Sequence, residues 1–277
     1  MTDSASQGAN EAVLLRDDRD GVATLTLNRP DKFNALSTEL MGAVQDQLDA
    51  LMDDRSIKVV VIAANGRAFC AGHDLQEMKA MTGREPLEAL FRQCSRMMAS
   101  LTRIPQPVIA RVHGIATAAG CQLVAQCDLA VAAEGGRFAT SGINLGLFCS
   151  TPMVAVTRNL PRKQALELLY TGDFIDAEAA RQYGLVNRVV PADRLDRATD
   201  ELARAIADKS PRAIQFGKEL FYKQIEEGLD AAYDLATETI VANMLHEDAQ
   251  GGVAAFLDKQ PMPAWQDLTK TTEDDNT

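Results

Sequence analysis

Two short segments limit what this chain can fold into more than any other feature. The first reads Phe69-Cys70-Ala71-Gly72-His73-Asp74-Leu75, and the second Val112-His113-Gly114-Ile115-Ala116-Thr117-Ala118-Ala119-Gly120-Cys121-Gln122-Leu123. Each is a small-residue turn that follows an apolar strand and leads into a helix. Backbone N–H groups at a helix start are unpaired donors, and the helix dipole adds positive potential there. Two such donors aimed at one point make an oxyanion hole, which stabilises charge developing on a carbonyl oxygen. Ala71, Gly72, Ala118, Ala119 and Gly120 are small enough to let a ligand carbonyl approach the backbone. Close strand–helix packing also uses small residues, so the turns alone leave both readings open.

The rest of the chain gives these turns a frame. Ala23, Leu25 and Leu27 alternate with Thr24 and Thr26, which predicts a strand over Val22–Leu27. Asn28-Arg29-Pro30-Asp31-Lys32 reads as a turn. Ser37 can cap a helix whose Leu40, Val44, Leu48 and Leu51 form one stripe. Val59-Val60-Val61-Ile62-Ala63 is unbroken and apolar, as for a strand covered on both faces. Val108–Val112, Leu129–Ala132 and Leu185–Val190 are further strands. After Pro191 only helices are predicted: Leu195 to Ala207, one starting near Pro211, one over about 229–245, and a short one over 250–258. Strands and helices alternate first and helices alone follow, which describes an α/β core with a helical C-terminal module. Residues 1–12 and 261–277 read as tails, the last stretch being Thr/Asp/Glu-rich.

Composition bounds the function. A chain of 277 residues that is 46% hydrophobic and 24% charged can bury a large core. A formal charge of -11 argues against a nucleic-acid partner, which needs a basic face. The five cysteines at 70, 94, 121, 127 and 149 contain no C-x-x-C pair. They suit a reducing, cytoplasmic compartment better than a disulfide framework. No apolar run approaches the roughly 20 residues that span a bilayer, so no membrane partner is expected. Met1–Asn10 lacks the basic and apolar regions of a signal peptide.

Several motifs then occur in order: Leu27-Asn28-Arg29-Pro30 with Asn34-Ala35-Leu36, the two turns, Pro107-Val108-Ile109-Ala110, Cys127-Asp128, Phe138 with Leu145-Gly146, and Thr171-Gly172 followed by Gly184-Leu185-Val186. Together they resemble the crotonase superfamily, the enoyl-CoA hydratase/isomerase family, over nearly all of residues 13–260. Within it, Gly-His-Asp-Leu and Ala-Ala-Gly-Cys-Gln-Leu resemble the subgroup of enoyl-CoA hydratase domain-containing proteins. The resemblance implies an α/β spiral of repeated β-β-α units, the ClpP-like crotonase fold. It implies a core with the acyl-CoA site over 13–200 and a helical trimerisation module over 201–260, giving a homotrimer or a dimer of trimers. It implies no cofactor and no metal, with the coenzyme A thioester as substrate and a place in fatty acid metabolism.

Carried over by resemblance, the oxyanion donors are the N–H groups of His73 and Ala119. Contacts to the acyl-CoA fall on Arg29, Lys32, Phe33, Ala35, Ala71, Asp74, Leu75, Phe256 and Lys259. Asp31 stands where hydratases often carry a lysine. Two departures matter more. Hydratases carry one glutamate where this chain has Gln122, and a second where it has Gly142. Hydration needs one group to deprotonate water and another to protonate the α-carbon. Glutamine exchanges no proton at neutral pH and glycine has no side chain, so efficient hydration is not expected. A malonyl-type decarboxylase needs only enolate stabilisation and is an alternative, as is a non-catalytic acyl-CoA binder.

Individual side chains keep two readings each. His73 titrates near neutrality and can serve as an acid, or its ring fills space while only its N–H acts. Asp74 with Glu77 three residues on resembles a capping box. Ser150 matches the aspartate nucleophile of a dehalogenase in the same superfamily. Cys149 beside it, at a helix start, can have a lowered thiol pKa. Cys70, Cys121 and Cys127 read as packing residues.

Overall fold

The computed structural model describes residues 12–265. The chain enters through a hairpin, β1 (Leu14–Arg19) and β2 (Val22–Leu27), and reaches helix α1 (Thr38–Asp53). Ser37 caps α1 by accepting from the Leu40 N–H at 3.1 Å, and Leu40, Val44, Leu48 and Leu51 are buried as the stripe predicts. Three similar turns follow. The first is β3 (Val59–Ala64), β4 (Ala68–Cys70), α2 (Leu75–Ala80) and α3 (Arg84–Arg103). The second is β5 (Val108–Val112), β6 (Ile115–Thr117) and α4 (Ala119–Gln126). The third is β7 (Leu129–Ala133), β8 (Arg137–Ala139) and α5 (Ser150–Asn159). Then come α6 (Arg162–Thr171), β9 (Ile175–Asp176), α7 (Ala177–Gln182) and β10 (Arg188–Val190).

Each turn gives one strand to each of two sheets. The larger sheet has the order β1-β2-β3-β5-β7-β10, and the smaller has β4-β6-β8-β9. Pairing is parallel from β2 through β10, so the chain must cross over between neighbours, which builds the spiral. One face of β3, β5 and β7 packs into the main core with Phe69 and Phe138. The other face carries Val59, Val61, Ile109 and Val131 against Leu195 and Ala203 of α8 (Leu195–Ala207). Burial on both faces explains the unbroken apolar run of β3.

Helices α9 (Pro211–Gln224), α10 (Leu229–Leu245) and α11 (Glu247–Leu257) complete the described chain. Residue 200, the division expected from sequence, falls inside α8. The final strand is shorter than expected, 188–190 rather than 185–190, because Leu185 and Val186 turn into the main core. The last helix starts at 247 rather than 250, with the His246 ring accepting from the Asp248 N–H at 3.2 Å. Of the expected tails, residues 1–11 and 266–277 lie outside the described residues. Within the expected tail, the Trp265 indole donates to the Asp208 carbonyl at 2.8 Å. Among the described residues no helix is long and apolar enough to cross a membrane.

Candidate active site

The two small-residue turns meet at Gly72. Its φ is +94°, and a β-carbon there would lie 2.9 Å from the Ala118 Cβ and 3.3 Å from the Ala119 nitrogen. Gly120 is tighter still, since a β-carbon would fall 2.1 Å from the Cys70 carbonyl oxygen. Only glycine permits this approach at either position. Leu36 bridges the first turn: its N–H donates to Gly72 O at 2.7 Å, and its carbonyl accepts from Asp74 N–H at 3.1 Å. That pattern leaves the His73 N–H directed away from Leu36. Ala119 opens α4, so its N–H has no acceptor within the helix. Among the described residues neither N–H donates to another protein group. Ala118 sits between the turns at φ +51°, ψ -119°, a strained setting for alanine that aims the next N–H.

Both donors line a cavity of about 600 Å³. Lys32, Phe33, Ala35, Ala71, Asp74, Leu75, Gly142 and Ser150 line it too. Arg29, Gln122, Phe256 and Lys259 do not. Arg29 turns inward, donating to the Ala35 carbonyl and pairing with Asp74 at 3.0 Å. Phe256 lies in the last turn of α11 with 73% of its surface exposed, and Lys259 lies just beyond that helix.

The charges in the cavity are largely committed. Burial raises the Asp74 carboxyl, but Arg29 and the N–H groups of Gln76 and Glu77 bring it below its ordinary value. Asp74 therefore caps α2, whereas Glu77 does not return the bond. Its carboxylate accepts instead from Thr38 N–H at 2.9 Å and the Thr38 hydroxyl at 3.1 Å, so the expected capping box does not form. Burial pushes the His73 imidazole down to about 4, and its Nε2 has no partner. The ring packs edge-on against Phe91 with centroids 5.3 Å apart. It is uncharged at neutral pH and cannot act there as an imidazolium acid. Burial also raises the Cys149 thiol, which overrides the thiolate expected at a helix start. Cys70 and Cys121 are pushed up to about 12 by burial, as packing residues would be.

Comparison with known proteins bears on this geometry. Residues 17–268 match the family model described as enoyl-CoA hydratase/isomerase. The chain belongs to the enoyl-CoA hydratase/isomerase family. It is 44% identical over 246 residues to the Homo sapiens "Enoyl-CoA hydratase domain-containing protein 3, mitochondrial", covering 89% of this chain and 81% of that protein. The crystal structure of that human protein superposes with a TM-score of 0.88 at 43% identity, covering 91% of this chain and 99% of the other. A Mycobacterium smegmatis structure called enoyl-CoA hydratase superposes with a TM-score of 0.90 at 52% identity, covering 92% and 99%.

The two positions at which the resemblance expects glutamates hold Gln122 and Gly142. Gln122 lies in α4 and is buried, with its Oε1 unpartnered. Gly142 lines the cavity but has no room for a side chain. A β-carbon there would lie 2.6 Å from the Leu147 carbonyl oxygen and 2.9 Å from the Cys149 sulfur. The Leu147 N–H holds this loop shut by donating to Gly142 O at 3.0 Å. Ser150 opens α5, and its hydroxyl donates back to Phe148 O at 3.3 Å. The cavity also gathers residues to which the sequence assigns no role at the site. Ser141 lines it and shares a 2.7 Å hydroxyl contact with Thr117. Met78, Phe91, Leu147 and Phe148 line it as well. The Arg67 guanidinium stacks 4.4 Å over the Phe33 ring. The periodicity of α3 marks Phe91 as half-buried, but nothing local shows which cavity it faces.

Proposed function

We propose that this chain binds an acyl-CoA with its thioester carbonyl between the N–H groups of His73 and Ala119, and stabilises the enolate of that thioester. The observation that carries this reading is the meeting of the two turns at Gly72, which leaves both donors unspent beside the cavity. Such donors are worth about 100- to 1,000-fold each in rate. Rapid hydration is not part of the reading. Gln122 and Gly142 supply no proton-exchanging group, Asp74 is held as an anion by Arg29, and His73 is neutral. Acid–base help of about 100- to 10,000-fold is thereby absent.

Two measurements test this. Binding of hexanoyl-CoA should exceed that of S-hexyl-CoA, which lacks the carbonyl oxygen, by about tenfold or more, as two hydrogen bonds warrant. Equal binding would remove the carbonyl from the hole. Loss of the conjugated thioester of crotonyl-CoA should run far below ordinary hydratase rates. Turnover at those rates would overturn the assignment of Gln122 and Gly142 as inactive.

Assembly and location belong to the same reading. Leu229, Tyr233, Leu245, Phe256 and Leu257 are 68–73% exposed on α10 and α11. So much apolar surface supports a homotrimer or dimer of trimers built on these helices. Phe256 and Lys259 then serve the assembled protein rather than the cavity of their own chain. The five free, buried cysteines support a reducing compartment, here the cytoplasm, although the human relative carries "mitochondrial" in its name.

A further inference from the structure

The Ala119 donor follows a strained residue that cannot hold itself in place. Ala118 sits at φ +51°, ψ -119° and makes no side-chain bond. A backbone in such a setting persists only where the surrounding structure over-determines it. Thr117, just before it, ends β6 and pairs with Ala139 of β8, and the Ala118 N–H donates to the Ala139 carbonyl at 3.0 Å. Those backbone contacts fix where the strand ends. Of Thr117, Ala118 and Ala119, only Thr117 has a side chain able to add a hydrogen bond. Its hydroxyl lies 2.7 Å from that of Ser141, 24 positions along the chain. Thr117 is 9% exposed, so its hydroxyl is costly to leave unpaired. Ser141 is anchored in turn, because the hydroxyl of buried Thr140 donates to the Leu168 carbonyl of α6 at 2.7 Å. Ser141 lines the cavity, whereas Thr117 is not among its lining residues.

We infer that Thr117 is a positioning residue for the oxyanion hole: through its bond to Ser141 it holds Ala118 in the setting that aims the Ala119 N–H at a ligand carbonyl. This rests on the acyl-CoA reading of the site. Without the bond, Ala118 relaxes toward an ordinary backbone region and turns the peptide that carries the Ala119 N–H. The His73 donor belongs to the other turn and stays as it is. The loss is therefore one donor of two, with the rest of the ligand's contacts kept.

Infrared difference spectra of the full-length protein test this, with hexanoyl-CoA isotope-labelled at the thioester carbonyl. Two donors polarise the carbonyl and displace its stretch below that of free hexanoyl-CoA. Thr117→Val keeps the side-chain shape and removes the hydroxyl, so the displacement should shrink. Thr117→Ser keeps the hydroxyl and should restore it. The preference for hexanoyl-CoA over S-hexyl-CoA should fall in parallel from about tenfold to about threefold, the share of one hydrogen bond of two, with S-hexyl-CoA binding unchanged. Ser141→Ala should act as Thr117→Val does, with the double variant adding nothing, and it serves if Thr117→Val does not fold. A displacement unchanged by removal of either hydroxyl, or one that Thr117→Ser fails to restore, overturns this inference and leaves the acyl-CoA reading standing. No displacement in the parent overturns both.

Discussion

At Gly72 one methyl group is enough to separate the two turns. Gly72→Ala places a β-carbon 2.9 Å from Ala118 Cβ and forces alanine to φ +94°. The expected outcome is a loss of about 1–3 kcal/mol in stability, read from urea midpoints, together with a drop in acyl-CoA affinity. His73 gives a second prediction. Burial pushes its imidazole from the ordinary value of 6.5 down to about 4, so the unfolded chain takes up the proton first as pH drops. Stability is full above pH 6.5 and falls as pH drops through that window, by up to about 1.4 kcal/mol per unit. Denaturation midpoints at pH 7 and pH 5 should show this fall in the parent and much less of it in His73→Phe. The meeting of the two turns beside the cavity is legible in sequence because small residues and a helix start act through the backbone. Arg67, Phe91 and Leu147 are not legible, because each reaches the cavity from a different turn of the spiral.

Among the elements, α9 carries a buried ion pair to the core. Lys218 Nζ lies 2.7 Å from Asp128 Oδ2 and donates to the carbonyls of Leu101 and Gln106, each at 2.8 Å. The Tyr222 hydroxyl donates to Asp128 Oδ1 at 2.7 Å. Lys218→Met strands Asp128 without its cation and should cost about 3–5 kcal/mol in a denaturant titration, with α9 loosened first in hydrogen exchange. The cap of α2 behaves differently. Asp74 has its pKa lowered below 3.8 in the folded chain, so its contribution is present above that value and is lost as pH falls further. Asp74→Asn should keep the cap, lose the Arg29 ion pair, and flatten the acid limb of the stability curve. Long elements such as α1, β3 and α8 are readable because one apolar face or a covered strand repeats over many residues. Strands β4, β6 and β8 have three residues each and no period to read, so only pairing defines them. Strand β1 is an edge strand whose burial is confined to Leu14 and Arg16, which hides it in the same way. Glu77 also misleads, since its Thr38 partner is 39 positions away.

For the whole molecule, the pattern of strands and helices shows alternation but not the spiral, which the family resemblance alone supplies, because two sheets fed by each turn look locally like one sheet. The exposed apolar faces of α10 and α11 carry the prediction at this scale. Light scattering should find an assembly rather than a single chain, and Leu245→Asp with Phe256→Asp should dissociate it while leaving the far-ultraviolet spectrum unchanged. The loop over Gly142 has a consequence of another kind. The Leu147 carbonyl and Cys149 sulfur occupy the space that a glutamate stem would need, so the loop works as a ratchet. A side chain at 142 can be given up in one codon change, yet Gly142→Glu cannot be accommodated in one. Gln122→Glu with Gly142→Glu should therefore stay slow on crotonyl-CoA until the 147–149 segment is rebuilt as well.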